Sequence, residues 1–136
     1  MNILYKQEKL PFTCRPAGAA QTGTILDIIL WKNSTLGWKQ IAKIWLKVGN
    51  GAIVNEIIWT DTAIRNRAAT IDQKVHPSSQ TGLQIEVSPI NVKYSDKEDY
   101  KCSISGNSGS VSIGSESAPK TVRMKGKKNY NIQFHL

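Results

Sequence analysis

No run of apolar residues in this 136-residue chain approaches the ~18–20 needed to span a membrane as a helix. The first residues also carry no apolar stretch of the kind that leads a secreted chain. Histidine is scarce: His76 and His135 are the only two, and neither stands in a nucleophile–base motif. No phosphate-cradling or dinucleotide glycine fingerprint occurs. Zinc-finger spacings, RNA-binding aromatic motifs and heptads are missing too. These gaps leave an enzyme or a nucleic-acid binder without a recognisable motif. Cysteine is limited to Cys14 and Cys102, 88 positions apart. That separation excludes a close-spaced metal site and leaves either one long-range disulfide or two unrelated thiols. Acidic residues are few, 10 against 18 Lys and Arg, so the net charge is +8. A basic surface suits acidic or anionic partners but says nothing of fold. Aromatics are only 7% of the chain, yet four of them are tryptophans: Trp31, Trp38, Trp45 and Trp59.

What the chain does have is a succession of short β-rich runs separated by turn residues, the profile of an all-β sandwich. Residues 2–5 read as a short first strand. Leu10, Phe12 and Cys14 alternate onto one face, and residues 25–32 form an apolar run containing Trp31. Residues 38–48 fit two periods. Trp38, Ile41, Ala42, Trp45 and Val48 fall at helical spacing, whereas Ala42, Ile44, Leu46 and Val48 alternate against Lys43, Trp45 and Lys47 as in a strand. Asn50-Gly51 is a tight-turn dipeptide that would fold this run onto residues 52–59. Further strands are expected at 67–75, 83–87 and 99–105, then at 111–113 and 121–124, broken at Pro119. Residues 17–23, 76–82 and 106–109 read as loops. The domain is expected over residues 1–126, with 127–136 as a C-terminal extension or the start of a linker.

The segment Asp96-Lys97-Glu98-Asp99-Tyr100-Lys101-Cys102 places a tyrosine two residues, and an aspartate six residues, before the second cysteine. It resembles the E–F corner and F strand of immunoglobulin domains. With Cys14 upstream, Trp31 on an apolar run and Arg67, or Arg65, before a further strand, the chain is similar to a divergent variable-type member over about residues 10–125. Strand G lacks the Gly-x-Gly bulge of antibody and receptor chains, so an innate-immune, adhesion or lectin-associated kind is the nearer likeness. The resemblance implies an immunoglobulin-like antiparallel β-sandwich, a V-type Greek key with one inter-sheet disulfide between Cys14 and Cys102. It further implies Trp31 packed on that disulfide, with Trp38 as rival, a Tyr100 hydroxyl bonded back to the corner, and an Arg67–Asp96 ion pair. A closed loop of this length is worth about 4–5 kcal/mol in the chain-entropy model, and the bond implies an oxidising compartment.

The function so implied is non-catalytic extracellular recognition, in immune-type defence or cell adhesion, within a larger secreted or cell-surface protein. The resemblance carries no cofactor and no metal. Binding is expected either at loop tips, with Asn50, Asn107 and Ser108, or on the open G-F-C-C′ sheet face. On that face Trp45 would point outward between Lys43 and Lys47, a residue combination enriched in interface hot spots. The partner would be a protein or glycan, acidic in part, or a second copy docked sheet to sheet. Asn33-Ser34-Thr35 is an N-glycosylation sequon. Two other readings remain: a structural spacer that positions a neighbouring lectin or other domain, and a polyanion or glycan binder using Lys120, Arg123, Lys125, Lys127 and Lys128.

Overall fold

The computed structural model of the chain describes residues 8–15, 24–49, 52–74, 82–108, 110–123 and 132–135. Among the described residues ten strands and one short α-helix follow one another: β1 Leu10–Arg15, β2 Thr24–Ser34, β3 Gly37–Gly49, β4 Ala52–Trp59, α1 Thr62–Arg65, β5 Ala68–Lys74, β6 Gly82–Val87, β7 Asp99–Ser108, β8 Val111–Glu116, β9 Lys120–Thr121 and β10 Ile132–His135. Residues 38–48 are therefore strand. The helical spacing of their tryptophans loses because β3 sits between two partners, β2 and β4, and its alternating Ala42 and Ile44 are sealed in the core.

Local chemistry sets the connections. β2 turns into β3 through Thr35 and Leu36, flanked by the pair Ser34–Gly37. Ser34 Oγ accepts from Leu36 N and donates to Gly37 O at 2.9 Å. Gly37 has φ +101, a left-handed value that favours glycine. Gly49 pairs with Ala52, as a tight turn at Asn50-Gly51 requires, although residues 50 and 51 themselves lie outside the described set. The helix α1 is capped by Asp61, whose Oδ1 accepts from Ile64 N at 3.0 Å, and it buries Ile64.

Two sheets result. One has the order β10-β1-β6-β5, the other β4-β3-β2-β7-β8 with β9 also on β7. All pairings are antiparallel but one. β10 runs parallel to β1, with Phe134 opposite Cys14. Within the expected C-terminal extension, residues 132–135 are a sheet strand, and Phe134 is a core residue. A sequence of four residues carries no mark of the distant strand that it will join.

The sheets are linked by the disulfide Cys14–Cys102, from β1 to β7, with Cα atoms 6.0 Å apart. The core between them holds Leu10, Phe12, Ile28, Leu30, Ile41, Ile44, Ile85, Tyr100 and Phe134, with Ile57 and Trp59 packed against it. The reading of 106–109 as a flexible loop is corrected. β7 continues to Ser108, which pairs with Val111, while residue 109 lies outside the described residues. Gly106 serves a strand contact: a Cβ there would stand 2.2 Å from Thr24 O of β2, beside the register shift between Ile25 and Asp27. Only a residue without a side chain permits that approach. Between β8 and β9 the ladder is bridged by Ser117. Its Oγ accepts from Cys102 N at 2.9 Å and its N–H donates to Cys102 O at 2.8 Å.

Candidate recognition face

The corner that carries the sequence signature is a buried polar cluster. Asp96 sits in a 3-10 turn of Tyr94–Asp96 and is 2% exposed. Its carboxylate accepts from Arg67 Nη1 and Nη2, each at 2.9 Å, and from Lys93 N at 2.8 Å. Arg67, just ahead of β5, also donates from Nη1 to Asn91 O at 2.7 Å. Its side chain is 12% exposed. The hydrogen bond to Asp96 raises the guanidinium pKa further above its ordinary value, against a smaller opposing effect of burial. Tyr100 Oη donates to Asp96 O at 2.8 Å. Burial, helped by the nearby Asp96 charge, pushes the phenol well above its ordinary pKa. Its ring lies 4.5 Å from that of Phe12, centroid to centroid. The cluster ties β5, β7 and the turns between β6 and β7 into one unit. It is a structural device: its charges point inward and are consumed by each other.

The outward side of the six-stranded sheet is different. Along β2, Ile28 and Leu30 turn inward, so Asp27, Ile29 and Trp31 turn outward. Trp31 is thus not the core tryptophan. Leu30 is the inward residue level with Cys102, and Trp31, one position on, lands on the opposite face. Its indole Nε1 donates to Ser103 Oγ at 2.8 Å, and Ser103 is itself the outward neighbour of Cys102. Trp38 is not in the core either. Lys101 Nζ lies 4.5 Å from the Trp38 ring centroid and 6.0 Å from that of Trp31. The same Nζ is 3.3 Å from Glu116 Oε2, and the Lys101 side chain is 15% exposed. Aromatic weight in the core comes instead from Phe12, Tyr100 and Phe134, with Trp59 against them.

Farther along, Lys43 and Trp45 face outward from β3, opposite Ile58 and Glu56 of β4. Lys43 Nζ lies 3.9 Å from Asp27 Oδ2. Trp45 is half-buried. Ile29 is almost fully buried although it faces outward, so the surrounding side chains close over it. Three of the four tryptophans therefore share one face with Lys43 and Lys101, and among the described residues each of these two lysines has a carboxylate beside it. The sequence singled out Trp45 and Lys43 on this face but missed Trp31, Trp38 and Lys101. The side of Trp38 was fixed by a bulge: the β2–β3 register shifts between Leu30 and Trp31, with Ile41 as the extra residue turned into the core, whereas Trp31 and Lys101 follow plain alternation beside the inward Leu30 and Cys102.

The loop-tip candidates are scattered. Asn107 is exposed on β7, at the far end from Trp38. Ser108 lies on β7 and Lys47 on β3, but their side chains, and all of Asn50, fall outside the described residues. Lys120 and Arg123 are exposed, while Lys125, Lys127 and Lys128 lie outside the described residues. Asn33 stands on β2, half-buried, with Trp38 as its cross-strand partner. A shallow hollow of about 470 Å³ is lined by Lys39, Gln40, Thr60, Asp61, Thr62 and Ala63, with no pair of groups set for acid–base work. Among the described residues no three His, Cys, Asp or Glu side chains converge on a point that could hold a metal ion. None of the described helices is long and apolar enough to cross a membrane. No protein-family model matches the sequence, and no curated protein is significantly similar to it.

Proposed function

We propose that the chain is an immunoglobulin-type domain of the variable kind, and that it serves as a non-catalytic extracellular recognition module docking through the outward face of its six-stranded sheet. The observation that carries this reading is the gathering of Trp31, Trp38 and Trp45 with Lys43 and Lys101 on that one face. Tryptophan supplies large rigid contact area, and half-buried indoles are pre-positioned, so little side-chain entropy is lost on docking. The disulfide, typical of oxidising compartments, supports an extracellular setting. The corner formed by Arg67, Asp96 and Tyr100 supports the family assignment.

Charge on the face argues for a protein partner over a polyanion. Among the described residues of the face, Lys43 has Asp27 and Lys101 has Glu116 beside it, so these charges are matched despite the +8 of the whole chain. A sulfated or nucleic polymer would gain little there. The test is binding of the multimerised, disulfide-bonded domain to intact cells. Trp45→Ala is expected to weaken it at least ~10-fold, a hot-spot-sized loss, while Ile71→Ala, on an exposed site of β5, leaves it unchanged. Equal binding by both variants would refute the face as the docking surface.

A further inference from the structure

We infer that Asn33 carries an N-linked glycan whose first sugar packs on the indoles of Trp38 and Trp31, so that this end of the sheet face is covered and partner docking is confined to the Trp45 end. The inference rests on the extracellular reading above. Three observations combine. Asn33, Ser34 and Thr35 form the sequon, and the structure places it at the entry to the two-residue turn between β2 and β3, where Thr35 and Leu36 are exposed. Asn33 is two residues beyond Trp31 on the same strand, hence on the same outward face, about 7 Å along it. Trp38 is the cross-strand partner of Asn33, and directly opposed residues stand ~4.5–5.5 Å apart at Cβ. A pyranose linked to the Asn33 amide therefore emerges beside two indoles. The C–H groups on one side of N-acetylglucosamine are apolar and slightly positive, the complement of the negative face of an aromatic ring.

The indoles are held ready for that contact. Trp31 is fixed by its bond to Ser103 Oγ, and Lys101, pinned by Glu116, lies over one face of each ring, so a sugar takes the other face. The same hairpin tip exposes Leu36 at 83%, an apolar side chain that a glycan would also shield. Trp45 lies seven residues farther along β3, roughly 20 Å from Trp38 at ~3.3 Å per residue. One core sugar at Asn33 does not reach it.

The experiment secretes the full chain from a eukaryotic cell as wild type, Thr35→Ala and Trp38→Ala, with intact mass and thermal melting as readouts. The expected result is full occupancy at Asn33 and a wild-type Tm about 2–4 °C above that of Thr35→Ala, the shift that ~1 kcal/mol produces. Trimming the wild-type glycan to its first sugar keeps the shift. In the Trp38→Ala background the difference made by Thr35→Ala falls below ~1 °C. Iodide quenching of tryptophan fluorescence gives a second readout within the native sequence, with wild type less quenched than Thr35→Ala. An unmodified Asn33 on secreted, disulfide-bonded protein would overturn the inference and leave the recognition reading standing. A glycan whose removal changes neither Tm nor quenching would overturn the stacking. Cell binding that survives Trp45→Ala would instead strike the recognition reading and the confinement of docking to the Trp45 end, and leave the glycan contact standing.

Discussion

Replacing Arg67 by alanine strips the Asp96 carboxylate of two of its three hydrogen bonds. Asp96 is 2% exposed and accepts only from Arg67 Nη1 at 2.9 Å, Nη2 at 2.9 Å and Lys93 N at 2.8 Å among the described contacts. After the change a single backbone N–H faces a buried charge. The bond from Arg67 Nη1 to Asn91 O goes as well, which loosens the turn between β6 and β7. Breaking a buried ion pair by removing one partner costs about 3–5 kcal/mol, because the remaining charge stays desolvated. In a domain of this size that corresponds to a fall in Tm of roughly 10–15 °C. Equilibrium unfolding in urea, with the disulfide kept oxidised, is the assay. Arg67→Lys should lose a large part of the same energy, since an ammonium cannot reproduce the bidentate fork. The double variant Arg67→Ala/Asp96→Ala should recover part of the loss by removing the stranded carboxylate. A cost below ~1 kcal/mol for Arg67→Ala would place the pair in the class of solvent-screened surface bridges and refute the account of the corner.

Two other perturbations follow from the same structure. Tyr100→Phe removes the donor to Asp96 O and should cost about 1–2 kcal/mol at neutral pH. The Tyr100 phenol has a folded-state pKa raised well above 10, so its contribution is present below ~10, where the unfolded chain keeps its proton, and is lost as pH rises from there toward the folded value. The stability gap between wild type and Tyr100→Phe, measured in urea at pH 8 and again above pH ~10, should therefore shrink; a gap that widens with pH would contradict a buried neutral phenol. Gly106→Ala forces a Cβ to 2.2 Å from Thr24 O and should destabilise by more than ~2 kcal/mol, whereas Gly114→Ala, whose Cβ would sit 3.8 Å from Ile104 O, should be close to neutral. Similar costs for the two would show that β2 and β7 need no close approach at residue 106.

Much of the strand order was legible because it rests on period-two alternation. Leu10, Phe12 and Cys14 in β1 and Leu83, Ile85 and Val87 in β6 each declare a buried face, and all six are core residues. The short signature from Asp96 to Cys102, with Arg67, pointed to the corner because its groups satisfy each other at fixed separations, and the bonds are present as the resemblance implied. The outward position of Trp45 also followed from alternation, once residues 43–48 were taken as strand.

The sequence by itself determined the all-β character and the alternating core positions, since these depend on local period, while the residues of the corner came from the resemblance of Asp96–Cys102 to an immunoglobulin corner. Tertiary structure alone decided the rest. Residues 38–48 fit helix and strand equally, and the flanking strands β2 and β4 settled it by offering ladders on both edges. Trp38 was assigned to the outer face by a bulge at Ile41. Adding one residue to a strand reverses the face of everything beyond it, and no local pattern shows where that residue will be absorbed. The pairing of β10 with β1 joins residues more than a hundred positions apart. Its energy comes from covering the edge of β1 and burying Phe134, a contact that exists only after both sheets have formed.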